Sequence, residues 1–368
     1  MQVRNSMQTI NELSKMMKQS FRWNKARMDC FSGMLIALIK TRSVNLTELA
    51  IAFPSTVKLD SRYRRIQRFI NEYEIDFDVV ARFIMNLFDF INTDYYLVLD
   101  RTNWKWGEKN INILVLAVVY RGIAIPIYWL LLNKRGNSSS RERIALVNRF
   151  INQFGKTHIL GILADREFVG KKWFKFLNKN NIPFIFRIKK NAKTTNSRGK
   201  IVQVQNLFYL LKAGEQFIIK ETRIITKTPV YLTGLRLSDG KLLILASNQQ
   251  DNQAIKHYKE RWQIETLFSC LKSRDFNLED THITEPLRIK RFLVIPVIAF
   301  CWAHRVGEWQ NDSIKPIRIN KNERLVQSVF RVGLDIIRNT LLNISYSINS
   351  IINEFILLLK VNQSCCQT

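Results

Sequence analysis

Residues 95–132, which read YYLVLDRTNWKWGEKNINILVLAVVYRGIAIPIYWLLL, contain the apolar runs from which the fold is predicted. Residues 96–99 are a continuous run of strand-forming side chains, which predicts a central strand buried on both faces and ending at Asp100. Two further strands are predicted at 113–120 and 123–132, and Arg121-Gly122 would join them as a tight hairpin. The α/β part of the chain therefore begins with three successive strands.

Helices and strands then alternate. Serines at 138–140 are predicted to cap a helix with an apolar set of side chains facing the core and a basic set facing outward: Ile144, Val147 and Ile151 against Arg141, Arg143 and Arg149. A strand at 158–164 that runs into Asp165, a helix around 173–177 and a strand at 184–188 follow. This order of strand, strand, strand, helix, strand, helix, strand is that of a ribonuclease-H-like α/β core.

Residues 189–250 interrupt this order. Their β-rich pieces lie at 201–204, 216–225, 230–237 and 241–246, which predicts an inserted β-rich subdomain. There is no tryptophan between Trp173 and Trp262. The aromatic side chains in and just before the insertion are predicted to be core residues: Phe186, Phe208, Tyr209, Phe217 and Tyr231.

Helical regions flank this core on both sides. Residues 9–90 are predicted to form helices at 28–39, 45–53 and 61–70, the last one capped by Asp60. Four arginines would project from that third helix: Arg62, Arg64, Arg65 and Arg68. The pattern is similar to a helix-turn-helix DNA reader, although a basic surface helix would look the same. Residues 287–359 are predicted to be helical again, with a basic linker at 314–324.

The net charge favours a polyanionic partner. The 368 residues include 57 Lys and Arg against 30 Asp and Glu, a net charge of +27, so nucleic acid is the first expectation and an anionic membrane surface the second. Residues 185–214 alone hold seven basic residues and no acidic one. A hydrophobic content of 46% excludes a disordered basic tail. Five cysteines without metal-ligand spacing predict a reducing cytoplasm, without a disulfide framework or zinc site.

A second informative stretch, residues 257–276, reads HYKERWQIETLFSCLKSRDF. On an α-helix with about 100° per residue, one polar stripe only about 60° wide would carry Tyr258, Arg261, Glu265 and Lys272. The neighbouring face is apolar. One carboxylate between two cations and a phenol suits a metal ion and a phosphate backbone. A solvated charged face with i,i+4 ion pairs is the alternative for this helix taken alone.

Three carboxylates are predicted to meet. Asp100 and Asp165 each follow an apolar strand, where α/β folds place functional residues, and the predicted order makes these strands neighbours in the sheet. Glu265 on the later helix would complete the cluster. Such oxygen ligands bind hard cations, so we expect Mg²⁺ or Mn²⁺, as two ions about 3.5–4 Å apart that support in-line phosphoryl transfer.

These residues resemble a known family. Tyr258-x2-Arg261-x3-Glu265-x6-Lys272 is similar to the Tyr-Arg-Glu-Lys signature of the bacterial cut-and-paste DDE transposases of insertion-sequence family four. LDRTNWKWG around Asp100 and ADREFVGKKWF around Asp165 resemble that family's other two catalytic blocks, and RWQIETLFSCLKSRDFNLEDTH resembles its C-terminal block. Three blocks in the same order make a chance match improbable.

The resemblance implies a metal-dependent transposase. Such an enzyme would bind double-stranded DNA at the terminal inverted repeats of an insertion sequence, pair the ends as a homodimer in a synaptic complex, and join the freed 3′-hydroxyls to target DNA. The implied metal ligands are Asp100, Asp165 and Glu265, and the implied phosphate contacts are Tyr258, Arg261 and Lys272. Arg166 and Glu167 are candidates for supporting Asp165, or else form a salt-bridged surface turn.

The resemblance also implies a division of the chain and a location. The regions would be a DNA-end-binding region at 1–90, the ribonuclease-H-like core at 91–188, the β-rich insertion at 189–250, the core helix with Glu265 at 251–285, and a candidate dimerisation region at 286–368. The expected location is the bacterial cytoplasm, in association with the nucleoid.

Three alternatives remain open at this point. A catalytically inactive, relic transposase would occupy its repeats without cutting them. A compact ribonuclease-H-like nuclease, such as a resolvase or an RNA-hybrid hydrolase, is disfavoured by the 100-residue separation of Asp165 and Glu265. A membrane-bound protein is disfavoured because no basic amphipathic helix stands apart from the predicted core and the most apolar run, 292–303, is too short to cross a bilayer.

Overall fold

The computed structural model describes residues 2–321, 325–343 and 349–361, so the predicted basic linker at 314–324 lies partly outside the described residues. The chain forms two compact units. The first, termed the helical unit, consists of Met1–Asp89, Trp104–Ile111 and Phe268–Thr368. The second, termed the sheet unit, consists of Phe90–Asn103 and Asn112–Leu267.

The helices and strands follow one another in three groups. The first is helical: α1 Gln2–Met17, α2 Lys25–Thr41, α3 Leu46–Ala52, α4 Leu59–Glu72 and α5 Phe77–Leu87. The second is mixed: β1 Tyr95–Trp106, β2 Lys109–Tyr120, β3 Ile123–Leu131, α6 Ser140–Phe154, β4 Ile159–Ala164, α7 Lys171–Lys179, β5 Phe184–Arg187, β6 Lys193–Thr195, β7 Ile201–Gln203, β8 Gln216–Ile225, β9 Thr228–Arg236 and β10 Leu242–Ser247. The third is helical again: α8 Ala254–Lys259, α9 Gln263–Ser269, α10 Pro286–Phe292, α11 Val294–Trp309, α12 Val329–Leu342 and α13 Asn349–Leu357.

Two apolar helices form the centre of the helical unit. Residues 30–39 of α2 are buried without interruption, and nearly every residue of α11 is buried, as expected for helices that are apolar on all sides. The backbones of α11 and α12 approach so closely at Gly333 that a Cβ atom there would overlap the Ala303 carbonyl oxygen. Within the described part of the chain, no helix has both the length and the apolar character needed to cross a membrane.

The N-terminal helices lie where the sequence predicts them, with one correction. α2, α3 and α4 cover the three predicted helices. However, α4 begins at Leu59 after Lys58, so the prediction that Asp60 caps this helix is wrong. Asp60 lies in the first turn instead, where a negative charge interacts favourably with the positive end of the helix dipole.

One eight-stranded mixed sheet, in the order β3-β2-β1-β4-β5-β10-β9-β8, organises the sheet unit. β1 and β4 are parallel, and their register pairs Leu99 with Ala164. Asp100 and Asp165 therefore directly follow the last paired residues of these two neighbouring strands. The predicted hairpin between β2 and β3 is confirmed, and its turn residues Arg121 and Gly122 both have positive φ, as type I′ hairpin turns require.

The β-rich segment 189–250 mostly extends this sheet. β10 pairs antiparallel with β5 and with β9, and β9 pairs with β8, so three strands continue the sheet at one edge. β6 and β7 form a separate two-stranded sheet. The sequence pattern does not reveal the extension, because it depends on the pairing of Arg187 with Leu245, which are far apart along the chain.

The predicted end of β1 and the predicted burial of two aromatic residues are wrong. β1 does not end at Asp100 but continues to Trp106, because the chain beyond Asp100 stays extended with alternating burial, as expected for one arm of an antiparallel pair. Tyr209 and Phe217 are not core residues, since they are 73% and 53% exposed. Phe217 lies on β8, the edge strand of the sheet, and Tyr209, which follows the 3₁₀ turn Val204–Phe208, lines the same surface pocket as Phe217.

The outward orientation predicted for Arg143 is also wrong. α6 begins with Ser139 as its N-cap in a capping box with Glu142, close to the predicted start. Arg143 is buried, because its guanidinium donates hydrogen bonds to the side chain of Ser138 at 2.8 Å and to the carbonyl oxygen of Glu167 at 3.0 Å. A buried arginine is tolerated where its donors are satisfied in this way.

Candidate active site

Asp100 lies just beyond the β1–β4 pairing and is largely buried. Its Oδ1 accepts a hydrogen bond from the backbone N–H of Arg101 at 2.7 Å, and its Oδ2 accepts one from Arg261 Nη1 at 3.1 Å. The pKa of this carboxyl is raised to about 6. Burial is the main cause, the Arg101 N–H and Arg261 oppose it, and the carboxylates of Glu167 and Asp165 add to it.

Asp165 follows β4 directly and precedes a 3₁₀ turn over Arg166–Phe168. Its Oδ1 is shielded from solvent and has no hydrogen-bond partner among the described residues. Arg187 Nη1 lies 3.8 Å from this oxygen. Sequence reasoning missed Arg187, although a basic residue at the end of β5, the strand next to β4, was an available signal. A buried carboxylate oxygen without a donor is suited to a cationic partner.

Arg261 connects Asp100 to Glu265. Its side chain is buried, and it donates from Nη1 to Asp100 and from Nη2 to Glu265 Oε1 at 2.7 Å. Glu265 has 52% of its side chain exposed. α9, which carries Glu265, is tied to β2 because the backbone N–H of Tyr120 donates to Gln263 Oε1 at 3.1 Å. The structure therefore brings Asp100 and Glu265 together through a shared arginine.

Tyr258 lies in the core of the sheet unit. It is only 3% exposed and packs in a cluster with Leu163, Ile185 and Leu245. Burial raises the pKa of its hydroxyl. The Arg261 guanidinium carbon lies 5.8 Å from the Tyr258 ring centre. The phosphate contact expected of Tyr258 stays a prediction, as does that of Arg261.

The stretch with Tyr258, Arg261, Glu265 and Lys272 is not one continuous α-helix, so the predicted single stripe is wrong. α8 ends at Lys259, a 3₁₀ turn covers Glu260–Trp262, and a π-helical turn at Cys270–Arg274 follows α9. These helix types advance by different angles per residue. Lys272 belongs to the helical unit, where its Nζ lies 2.7 Å from Glu279 Oε1 and 6.0 Å from the Trp104 ring centre.

A bidentate ion pair joins the two aspartate segments. Arg101 donates from Nε and Nη2 to the two carboxylate oxygens of Glu167, each at 3.1 Å. Arg101 Nη1 also donates to Asn112 Oδ1 at 3.0 Å. Since Arg101 follows Asp100 and Glu167 lies two residues after Asp165, this ion pair fixes the spacing of the two segments. Glu167 is a supporting candidate from the sequence, whereas its partner Arg101 was missed.

The four arginines of α4 fall into two pairs. Arg62 and Arg65 are bound to backbone carbonyl oxygens of neighbouring segments: Arg62 Nη1 donates to Ile51 at 3.1 Å and to Phe53 at 3.3 Å, and Arg65 Nη2 donates to Ala26 at 3.0 Å. Arg64 and Arg68 are exposed. Of these four arginines, Arg64 and Arg68 are therefore the ones whose side chains are available to a polyanion. Their role in DNA binding stays a prediction.

Residues 92–302, more than half of the chain, match the family model described as a transposase DDE domain. The chain belongs to this family. Among solved structures, the cryo-EM structure of a piggyBac transposase synaptic complex with hairpin DNA is similar to this chain at 14% identity and a TM-score of 0.47, covering 94% of this chain and 78% of that chain. No curated protein matches the sequence.

As a member of the DDE transposase family, the chain is a transposase with nuclease and transferase chemistry, and such domains generally use divalent metals. Asp100, Asp165 and Glu265 supply the oxygen donors that Mg²⁺ prefers, and Asp165 Oδ1, which accepts no hydrogen bond among the described residues, fits a cation. The predicted direct cluster of three carboxylates is not formed, because Arg261 binds both Asp100 and Glu265. Accordingly, no group of three or more His, Cys, Asp or Glu side chains in the described residues could hold a metal ion. The donor chemistry of these residues fits the metal.

Proposed function

We propose that the chain is a cut-and-paste DNA transposase of insertion-sequence family four. It binds the terminal inverted repeats of its element and catalyses metal-dependent strand cleavage and strand transfer. One observation carries this proposal: Asp100 and Asp165 directly follow the last paired residues of two neighbouring parallel strands, and Glu265 shares the guanidinium of Arg261 with Asp100. The order β3-β2-β1-β4-β5 supports a ribonuclease-H-like core, to which β8–β10 add an edge.

Asp100, Asp165 and Glu265 are the metal ligands in this proposal. Bound Mg²⁺ or Mn²⁺, as a pair of ions, would supply activation of the attacking hydroxyl or water and stabilisation of the leaving oxygen. The Arg101 backbone N–H orients the Asp100 carboxylate. Arg187 balances the charge of Asp165 from the neighbouring strand.

Direct phosphate contacts are assigned to Arg261 and Lys272, and Tyr258, the third residue expected at the phosphate, is assigned to the support of Arg261. Arg261 presents two N–H groups to carboxylates, and the same fork geometry matches two oxygens of a phosphate. Release of a carboxylate by Arg261 would therefore free both a metal ligand and a phosphate donor. Tyr258, next to Arg261 in the core, would act mainly by supporting the position of its guanidinium.

We assign the roles of the remaining regions by the division expected from the sequence. Residues 1–90 bind the terminal repeats, with Arg64 and Arg68 as the exposed basic side chains of α4. The region 286–368 contributes to a homodimer that pairs the two ends before they are joined to target DNA. Phosphate contacts by Arg64 and Arg68 would hold the protein in register on the duplex.

Glu265→Gln tests the proposal, because it preserves the size of the side chain and removes the charge that holds a cation. Purified chain and a duplex carrying the element's terminal repeat are incubated with Mg²⁺, and strand cleavage is measured on a denaturing gel. We expect cleavage to stop in excess chelator, and the variant to cut slower by orders of magnitude. Repeat binding should persist, since it depends on other residues.

Glu221→Gln is the matched control. Glu221 is 76% exposed and pairs with Arg223 on the surface of the sheet unit, so its neutralisation should leave cleavage unchanged. Cleavage by Glu265→Gln at the wild-type rate would refute the catalytic assignment. If neither the wild-type chain nor the variant cuts while both bind the repeat, the relic transposase is the correct alternative.

A further inference from the structure

A cavity of about 900 Å³ opens in the sheet unit beside Asp165. One part of its wall is the turn after β4, with Arg166 and Glu167. Another part is the segment after β5, which includes Ile188, Lys189 and Lys193. This volume lies within the range of pockets that hold small organic ligands, about 300–1,000 Å³. We name it the basic cavity.

The charge of the basic cavity favours an anion. Arg166, Lys189 and Lys193 line it, all three are exposed, and none has an ion-pair partner among the described residues. Glu167 is the single acidic residue in the lining, and the bidentate bond from Arg101 neutralises it. Three uncompensated cations around one concave surface attract polyanions more strongly than the same charges on a convex surface, because low-dielectric walls focus their field.

The other lining groups indicate more than a free anion. Asn137 and Asn191 provide amide groups, and Ile188 and Val169 provide apolar surface. A nucleotide needs this combination, since its phosphate takes cations and amides while its sugar and base take apolar surface. The wall formed by residues 188–193 also belongs to the stretch 185–214, which holds seven basic residues and no acidic one.

We propose that the basic cavity binds the DNA strand next to the scissile phosphate, with its phosphodiester groups on Arg166, Lys189 and Lys193. This inference rests on the proposed function, because Arg166 directly follows Asp165 and a strand in the cavity is thereby led to the proposed metal ligands. The cavity would hold the strand next to Asp165, and Arg261, which is bonded to Asp100, would bind a phosphate of the same substrate. Its ligand is a strand of DNA, bound through the backbone without a requirement for sequence.

The double variant Lys189→Ala with Lys193→Ala tests the cavity. Binding to a fluorescent 40-base-pair duplex that carries the element's terminal repeat and flanking DNA is measured by anisotropy over a range of salt concentrations, without divalent metal. Each lost phosphate contact lowers the slope of log affinity against log salt by about 0.9. We therefore expect the slope to fall by about 2 in this double variant. A separate double variant, Lys189→Arg with Lys193→Arg, keeps both charges and should have the wild-type slope.

Lys171→Ala with Lys175→Ala is the matched control, because both lysines are exposed on α7 of the same unit and neither lines the cavity. Its slope should stay at the wild-type value. An unchanged slope in the Lys189/Lys193 variant, or an equal fall in the control, would overturn the inference. Thermal unfolding by circular dichroism verifies that each variant is folded.

A second measurement needs no variant. Lysine acetylation of the wild-type chain, read by mass spectrometry with and without the duplex, should show protection of Lys189 and Lys193 and none of Lys171 and Lys175. Equal acetylation of Lys189 and Lys193 in both samples would overturn the inference as well. Both measurements omit metal and cleavage, so their failure is distinct from failure of the proposed function, which Glu265→Gln decides.

Discussion

Replacing Arg101 with lysine tests whether its ion pair with Glu167 positions the two aspartates. The Arg101 backbone N–H holds Asp100, while its guanidinium binds both oxygens of Glu167 at 3.1 Å. Lysine keeps the positive charge but cannot form two parallel hydrogen bonds from a planar fork. Arg101→Lys therefore removes the geometric restraint between the two segments and retains most of the electrostatic attraction.

The expected magnitude follows from the burial of the pair. The Arg101 and Glu167 side chains are 15% and 23% exposed, so the pair lies between two limits. Exposed pairs contribute about 0–1 kcal/mol, and loss of one partner of a fully buried pair costs about 3–5 kcal/mol. We expect Arg101→Lys to lower the free energy of unfolding by about 1–2 kcal/mol. Cleavage should fall by about 10²-fold, the typical cost of a misplacement of about 1 Å at a reacting centre.

The assay combines urea unfolding with cleavage of the repeat duplex over a Mg²⁺ titration. If the pair positions the aspartates, the Mg²⁺ concentration for half-maximal cleavage rises in Arg101→Lys and in Glu167→Gln. The double variant should then be less impaired than the sum of the two single variants, because they remove the same interaction. A pair that serves only stability would change the unfolding free energy and leave the Mg²⁺ dependence alone.

Lys134→Gln is the control, because it breaks the Lys134–Glu142 ion pair of the same unit, whose side chains are 37% and 26% exposed. It should change the unfolding free energy by less than about 1 kcal/mol and leave cleavage unchanged. An Arg101→Lys chain that is less stable but cuts at the wild-type rate, with the wild-type Mg²⁺ dependence, would refute the positioning role.

Two further predictions concern the helical unit. The double variant Arg64→Ala with Arg68→Ala should lower the salt slope of repeat binding by about 2 without loss of stability. The double variant Arg62→Ala with Arg65→Ala should instead lower the melting temperature, since those arginines bind backbone carbonyls. Equal effects of the two double variants on binding and on stability would contradict this division. Gly333→Ala should lower the free energy of unfolding by about 3 kcal/mol, near the upper end for overpacking, because the added methyl group meets the Ala303 carbonyl oxygen of α11. A free energy of unfolding within about 0.5 kcal/mol of the wild-type value, the usual range for surface substitutions, would show that α11 and α12 can separate without cost.

The sequence predicts those parts of the structure that depend on local patterns. Apolar runs located β1–β5, and the adjacent positions of Asp100 and Asp165 followed from them, because both residues come directly after the paired part of two parallel strands, although β1 itself continues to Trp106. Long-range pairing was not predictable in the same way. β10 joins β5 through residues far apart in the chain, and the ion pair of Arg101 with Glu167 exists only once β1 and β4 are adjacent. The phosphate-binding and metal-binding roles rest on the family resemblance and on the proposed function.

The break in the helix explains how Arg261 reaches Asp100. On a regular α-helix, Arg261 would be rotated by about 300° from Tyr258, so that the two side chains diverge by about 60°. A 3₁₀ turn advances by about 120° per residue, and such a turn over Glu260–Trp262 rotates Arg261 back toward the face of Tyr258. Both side chains are accordingly buried, at 5% and 3% exposure. The backbone between α8 and α9 thus directs Arg261 inward to Asp100. Glu265 lies four residues later in the regular helix α9, where it stays half exposed and within hydrogen-bonding reach of Arg261.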